Sequence, residues 1–364
     1  MKYYLIAGER SGDLHASNLM KALKQQDPTA EFRYFGGDYM QAVGGELVVH
    51  YKELAFMGFW EVIVNLRTVA RYIKQCKKDI DAWKPDALIL VDYGGFNLKI
   101  AEHAKKVGHK VIYYISPKVW AWNQKRAYKI KARVDKMLFI LPFEVDFYKK
   151  FNWEVEYVGS PVMDAVKGHT ANPNFYQDNN LDPTKEIIAI LPGSRKQEVS
   201  RILPVLAKVA KQFTNYQVIV AGVGNLPNEL YESITGLNHV SLVFDQTYDV
   251  LAHSKVAIVC SGTATLETAL FTIPQVVVYK TSVFSYQIGK AVIKVPYIGL
   301  ANLIVGEEVV KELVQGACTV EAISSQVEYL LTNGTDYKEL TKAIGNKVAS
   351  EEAAKAVVKE LSNV

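Results

Sequence analysis

Short stretches that are apolar on both faces recur along this chain, and each is followed by a segment with helical periodicity. In the first half they are Tyr3 to Gly8, Ala87 to Tyr93, Lys110 to Ser116 and Lys136 to Phe143. In the second they are EIIAIL, YQVIVAGV, VSLVF, KVAIVC and QVVVYK. A strand apolar on both sides must be covered on both sides, so the pattern predicts parallel sheets with helices on each face. Between Ser160 and Glu186 proline, asparagine and glycine interrupt the alternation, as a linker would. At 364 residues the chain exceeds one ordinary core. The expected fold class is α/β, two doubly wound Rossmann-like domains facing a cleft. The expected divisions are 1-165, 166-340, and a C-terminal helix at 341-364 that packs back on the first domain. In such sheets ligands bind outside the carboxyl ends of the strands, which is where chemistry is sought.

Composition narrows the function classes modestly. A net charge of +4, spread along the chain, suits phosphates or an anionic surface without pointing to nucleic acid. The three cysteines, Cys76, Cys260 and Cys318, form no CxxC pair, which suggests neither disulfides nor zinc and fits a reducing compartment. The opening apolar run is too short for a signal peptide, and no run is long enough to span a bilayer. A location in the cytoplasm, peripherally on a membrane, is the expectation.

In the second half, EIIAIL runs into LPGSRKQEV. Ser194 and Gln197 are spaced as a capping box, and Ile202, Leu203, Leu206, Val209 and Phe213 form the buried stripe of the helix that follows. A helix start with Gly193, Ser194 and Arg195 suits a diphosphate; the plain alternative is a capped turn with a solvated arginine. CSGTATLETAL repeats the strand-turn-helix pattern. There Ser261, Gly262, Thr263 and Thr265 offer amides and hydroxyls, and Glu267 is placed to accept the hydroxyls of a ribose, unless it is only an exposed helix residue. Together the two loops favour a nucleoside diphosphate. Neither a P-loop nor a G-x-G-x-x-G after a strand is present, which weakens ATP hydrolysis and NAD chemistry.

In the first half, the turn AGERSGDLH carries Glu9, Ser11, Gly12, Asp13 and His15. Its acids would repel a diphosphate but suit sugar hydroxyls or amides, with His15 able to move a proton or simply lie on a helix surface. Asp92 ends the apolar ALILV strand, where a partly buried carboxylate becomes a better base, or caps the next turn. Trp120 and Trp122 offer flat faces before a basic run, Lys125 to Arg133, a combination that single-stranded nucleic acid could also use, although no RNA-binding signature accompanies it. Phe59, Val62, Ile63, Leu66, Ala70 and Ile73 fall on one apolar stripe, expected to face the core, and Arg67, Arg71, Lys74 and Lys78 on another; Phe56, Met57, Phe59 and Trp60 exceed what a helix end needs and with the basic stripe suggest a membrane or acyl surface. Asp79 and Asp81 form a D-x-D that is expected to be solvated, and the scattered histidines suggest no metal site.

Ten segments in order, among them AGERSGDLHAS, FMGFWEV, VDYGGFNLKIA, YYISPKVWAWNQKRAYKI, LPGSRKQEV, CSGTATLETAL and NLIVGEEVVKELVQ, resemble the lipid-A-disaccharide synthase family of inverting GT-B glycosyltransferases. The resemblance implies a UDP-2,3-diacylglucosamine donor, a 2,3-diacylglucosamine 1-phosphate acceptor, and a β-1,6 disaccharide phosphate and UDP as products. It also implies no metal or other cofactor, no nucleic acid partner, and the inner-membrane surface of a Gram-negative bacterium. It makes Asp92, with or without His15, the candidate base, and puts Arg195 and Glu267 in the donor pocket and Trp120 and Asn302 on the acceptor side. The family's second aspartate, immediately before Phe96 and Asn97 in its D-A-P-D-F-N, is here Gly95, so it cannot be the essential base in this chain. Rival readings are a UDP-sugar 2-epimerase, a peptidoglycan glycosyltransferase, or a silent UDP-sugar binder.

Overall fold

The computed structural model describes residues 1–53 and 66–362. The chain forms two compact units, Met1–Pro161 with Asn346–Val364, and Val162–Gly345.

The first unit holds a seven-stranded parallel sheet in the order β3-β2-β1-β4-β5-β6-β7. Its strands are β1 (Lys2–Ala7), β2 (Glu31–Gly36), β3 (Glu46–His50), β4 (Ala87–Val91), β5 (Lys110–Tyr114), β6 (Lys136–Phe139) and β7 (Glu156–Tyr157). The order reverses direction between β1 and β4, whose last residues Ala7 and Val91 lie side by side. β4 is buried at every position, as its unbroken apolar sequence predicts. The C-terminal helix Ala349–Ser362 places Ala353, Ala354 and Val357 in the core under Leu5, Leu19 and Leu23, and Glu360 pairs with Lys110 at 2.9 Å.

The second unit repeats the plan with six parallel strands in the order β10-β9-β8-β11-β12-β13. These are β8 (Ile187–Leu191), β9 (Gln217–Gly222), β10 (Val240–Phe244), β11 (Ser254–Cys260), β12 (Gln275–Tyr279) and β13 (Lys311–Val314). Ile202, Leu203, Leu206, Val209 and Phe213 are all buried, as the stripe predicts. The helix Val320–Asn333 packs Ile323, Val327 and Leu330 into this second core. Here the order reverses between β8 and β11.

Two local expectations change. Asp79 is not solvated: its carboxylate accepts from Arg33 Nε at 2.8 Å and Nη2 at 2.7 Å, and from the Tyr4 hydroxyl at 2.8 Å. A bidentate arginine fork explains why an acid stands beside an apolar sheet. In the helix Leu66–Trp83 the inward residues are Tyr72, Cys76 and Ile80, one turn apart, while Ala70 is exposed; Arg67, Arg71, Lys74 and Lys78 face solvent. Phe56, Met57, Phe59 and Trp60 lie outside the described residues.

Candidate functional site

In each unit the reversal of strand order opens the carboxyl ends of two neighbouring strands to a ligand. The residues singled out above fall at these two points.

In the first unit, Gly8 and Glu9 leave β1 beside Asp92 and Tyr93 leaving β4. Gly8 is required there: a Cβ on it would stand 2.2 Å from the Tyr93 ring. Asp92 and Tyr93 both adopt the left-handed region, with φ of 47° and 46°. Two such residues in a row are costly and persist only where surroundings hold them. The Asp92 carbonyl accepts from Asn97 Nδ2 at 2.8 Å and from the Tyr113 hydroxyl at 2.5 Å, and its N–H donates to Ile115 O at 3.1 Å. The side chain is half-buried. Burial first, and then the Glu9 carboxylate, push its pKa up to about 6, against the pull of Lys118 and the Tyr93 amide. His15 is held below the ordinary imidazole value by burial, with Glu9 opposing. Glu9, His15, Asp92 and Lys118 thus share one electrostatic neighbourhood of acid, imidazole, acid and cation. Lys118, Asn97 and Tyr113 were missed by sequence reasoning; Asn97, in VDYGGFN, stood in view.

The rest of the opening turn serves the fold. Asp13 is fully buried and accepts from the backbone N–H groups of Gly37 at 2.7 Å, Tyr39 at 2.9 Å and Met40 at 3.3 Å, capping the helix Asp38–Val43. It is therefore not a sugar ligand. Gly12 is buried too, close against Ala7. Glu9 and Ser11 are exposed, the Ser11 hydroxyl donating to Glu9 Oε1 at 2.8 Å. Trp120 is buried rather than offered for stacking: Nε1–H donates to Glu144 Oε1 at 3.1 Å and the ring meets Phe143 edge-on. Glu144, also missed, is buried, and burial pushes its pKa up to about 8 against the hydrogen bonds from Trp120, the Leu141 amide and Ser116 and the weaker pull of Lys118. Trp122, by contrast, is 48% exposed.

In the second unit, β8 ends in the turn Pro192-Gly193-Ser194-Arg195 and β11 in Ser261-Gly262-Thr263. The expected Ser194–Gln197 box is replaced by Arg195 and Glu198. Glu198 Oε2 accepts from the amides of Ser194 and Arg195, each at 3.2 Å, and Oε1 from Arg195 Nη1 at 2.9 Å. Gly193, at φ 109°, brings the backbone so close to Glu198 that a Cβ would lie 2.7 Å from Oε2. The turn's own carboxylate fills the place where an anion would sit, and the Arg195 side chain, 80% exposed, remains its outward cation. Ser261 Oγ donates to Ile298 O at 2.9 Å; Thr265 Oγ1 donates to Gly262 O at 2.8 Å and accepts from Leu300 N–H at 3.2 Å. Both hydroxyls are thus engaged inside the unit, whereas Gly262 and Thr263 are exposed. Glu267 Oε1 accepts from the Tyr248 hydroxyl at 3.2 Å, and burial raises its pKa. Asn302 is fully buried: Oδ1 accepts from Val309 and Val310 N–H, and Nδ2 donates to Val310 O and Glu312 Oε1. With its amide satisfied on both sides, Asn302 shapes the loop rather than a sugar pocket.

The lipid-A-disaccharide synthetase family matches residues 3–361. Among curated relatives, the lipid-A-disaccharide synthase of Geobacter metallireducens is 38% identical over 89% of this chain and 86% of its own. That of Syntrophus aciditrophicus is 39% identical over 90% and 87%, and that of Coxiella burnetii 34% over 99% and 97%. Among solved structures, UDP-GlcNAc 2-epimerase from Neisseria meningitidis, bound to UDP-GlcNAc, superposes with a TM-score of 0.68 at 13% identity, covering both chains fully. The glycosyltransferase of kitacinnamycin gives 0.68 at 13% identity over 99% of each chain. Likenesses at this identity establish the fold, GT-B.

Proposed function

The chain belongs to the lipid-A-disaccharide synthetase family and is a glycosyltransferase of lipid A assembly with a UDP-sugar donor and a lipid acceptor; from that premise we propose the substrates and the roles of individual residues. The donor is UDP-2,3-diacylglucosamine, the acceptor 2,3-diacylglucosamine 1-phosphate, and the products a β-1,6 disaccharide 1-phosphate and UDP. Asp92 takes the proton from the acceptor's 6-hydroxyl. The oxygen attacks the donor's anomeric carbon from the face opposite UDP, the carbon–oxygen bond to the diphosphate breaks, and the configuration inverts.

The observation that carries this reading is the Asp92 turn. A carboxylate with its pKa near 6 is ionised at neutral pH yet basic enough to receive a proton in the transition state. Its backbone is clamped in the left-handed region by Asn97 and Tyr113, which fixes the turn that presents the carboxylate. His15, kept neutral by its burial, is suited to relay that proton or orient the hydroxyl. Arg195, exposed at the end of β8, and the exposed turn residues Gly262 and Thr263 at the end of β11 meet the negative charge that develops on the leaving diphosphate, so no metal is required by the scheme. Glu267 receives the ribose hydroxyls while Tyr248 holds it in place.

Attachment to an anionic membrane, the cytoplasmic face of the inner membrane, is supported by the helix Val283–Val292. Phe284, Ile288, Ala291 and Val292 form a stripe at i, i+4, i+7 and i+8, and all four face solvent, Phe284 at 76% exposure. From Thr268 to Gly306 there is no acidic residue, while Lys280, Lys290 and Lys294 are cationic. An apolar stripe flanked by lysines suits a surface of anionic lipid. Among the described residues no helix is long and apolar enough to cross a membrane.

The test is UDP release from the donor with and without the acceptor, with products identified by mass spectrometry. A disaccharide phosphate formed only with both is expected; a 2-epimer formed from the nucleotide alone would overturn the reading.

A further inference from the structure

Downstream of the Asp92 turn, the helix Gly94–Lys106 and the segment Asn123–Arg133 enclose a cavity of about 440 Å³. Lys99, Lys125, Arg126, Lys129 and Arg133 line it, with Asn123, and no carboxylate does among the described residues. Arg133 is already paired, to Glu102 at 2.8 Å. The other four cations enter no ion pair among the described residues.

This arrangement works against the fold. Lys125 and Lys129 stand four residues apart on the helix Arg126–Lys131 and its cap, and Arg133 follows four further on; like charges at that spacing destabilise a helix. An ordinary solvated basic face spreads its cations or intersperses acids; here they converge on one concavity, and among the described residues Glu102, on Arg133, is the one acid paired with them. Four unpaired positive groups around one concavity, beside the paired Arg133, raise its potential until an anion enters.

We propose that this cavity binds a phosphate monoester, namely the anomeric phosphate of the sugar acceptor; the identification of the donor of that phosphate rests on the acceptor assigned above. A phosphate monoester carries a charge between −1.5 and −2 at neutral pH, by the roughly 6 of its second pKa, and needs more than one cation. Arg126 supplies a planar fork for two of its oxygens, and Lys99, Lys125 and Lys129 act as point charges. Gly95, which lines the cavity, stands three residues beyond Asp92, so its backbone lies within about 11 Å of the proposed base's. On the acceptor sugar the 6-hydroxyl and the anomeric phosphate sit at different corners of one ring. A sugar held by its phosphate here has its hydroxyl directed to Asp92, which would make the site a register as well as an anchor.

The experiment compares the full-length chain with K125Q/K129Q, in nonionic micelles, using the phosphorylated acceptor and the same diacylglucosamine without its phosphate. The expected result is an acceptor KM raised about tenfold to a hundredfold for the phosphorylated compound, following the strength of charged hydrogen bonds. The donor KM stays in place, the KM values for the unphosphorylated acceptor become equal in the two proteins, and the melting temperature does not fall. A loss equal for both acceptors, or a fall in melting temperature that accounts for it, overturns the proposal. A defect seen only when vesicles of phosphatidylcholine and phosphatidylglycerol replace the micelles assigns the cations to lipid headgroups and overturns it as well. Binding of water-soluble glucosamine 1-phosphate, followed by phosphorus NMR, separates this proposal from the reaction itself. If no disaccharide forms but the wild-type chain alone broadens that signal, the function falls and the site stands; if neither protein broadens it, the site falls.

Discussion

Replacing Asp92 by asparagine should make the protein more stable and nearly inactive. Asparagine keeps the size of the side chain and tolerates the left-handed backbone as aspartate does, so the change removes the charge and little else. Burial moves the carboxyl from an ordinary 3.8 to about 6. The native state therefore binds the proton more tightly than the unfolded chain, and stability falls as pH rises from about 4 to about 6 and stays lower above that. At about 1.4 kcal/mol per pH unit the ionised group costs roughly 3 kcal/mol, or about 1–2 kcal/mol once solvent around a half-buried side chain is allowed for. For a unit of this size that corresponds to a melting temperature higher by roughly 3–6 °C in the variant at pH 8, with no difference at pH 4. Turnover should drop by about 10²–10⁴, the usual contribution of a positioned base, and the wild-type kcat/KM should lose activity below a midpoint near 6. Calorimetry at the two pH values, beside the UDP-release assay, tests both arms. Turnover within tenfold of wild type would remove Asp92 from the reaction, and a variant that melts no higher at pH 8 would show that the carboxylate is not strained by its burial.

Other perturbations separate chemistry from architecture. Arg195→Ala should weaken UDP binding by about tenfold to a hundredfold, the range for charged hydrogen bonds, measured by calorimetric titration, while the melting temperature stays within a degree or two because the side chain is exposed. Asp13→Ala should destabilise by about 3–5 kcal/mol, since three backbone N–H groups lose their acceptor, and should lower the melting temperature by roughly 10 °C. Glu144→Gln should melt higher than wild type at pH 9 and alike at pH 5: burial raises this carboxyl from 4.5 to about 8, so wild-type stability declines through that window as pH rises. Phe284→Ser with Ile288→Ser should reduce co-sedimentation with phosphatidylglycerol vesicles by about tenfold or more. Unchanged co-sedimentation would place the lipid contact elsewhere.

The sheets were legible because their central strands have no polar face. β1, β4, β5, β8, β9 and β11 run through the interior, and burial on both sides leaves a signal that needs no knowledge of partners. β2, β3, β7 and β13 gave no such signal. Glu31, Glu46, Glu156 and Lys311 begin them, β7 is two residues long, and strands toward a sheet's edge keep one side in water. In the helix Leu66–Trp83 the basic stripe faces solvent as read, whereas Ala70 is exposed and Tyr72 and Cys76 turn inward, because they suit an interior as well as the aliphatic residues beside them.

The site was legible to a different depth. A polar residue at the carboxyl end of a strand is either a ligand group or a tie to a distant loop, and residue type alone does not separate the two. Asp13 finds its partners 24 to 27 residues away, Trp120 at a distance of 24, Thr265 at 35 and Ser261 at 37. Each has the chemistry of a binding group and lends it to the fold. Asp92 differs in kind: its backbone is held by Asn97 and Tyr113, while its carboxylate is left among Glu9 and Lys118 with its basicity raised. The cations around Arg126 likewise carry charge beyond what their neighbours neutralise, and Arg195, though paired with Glu198, keeps most of its side chain in solvent. Polar capacity that remains after the fold's own hydrogen bonds are satisfied is what distinguishes a site from a scaffold, and it becomes visible only when the distant partners are in place.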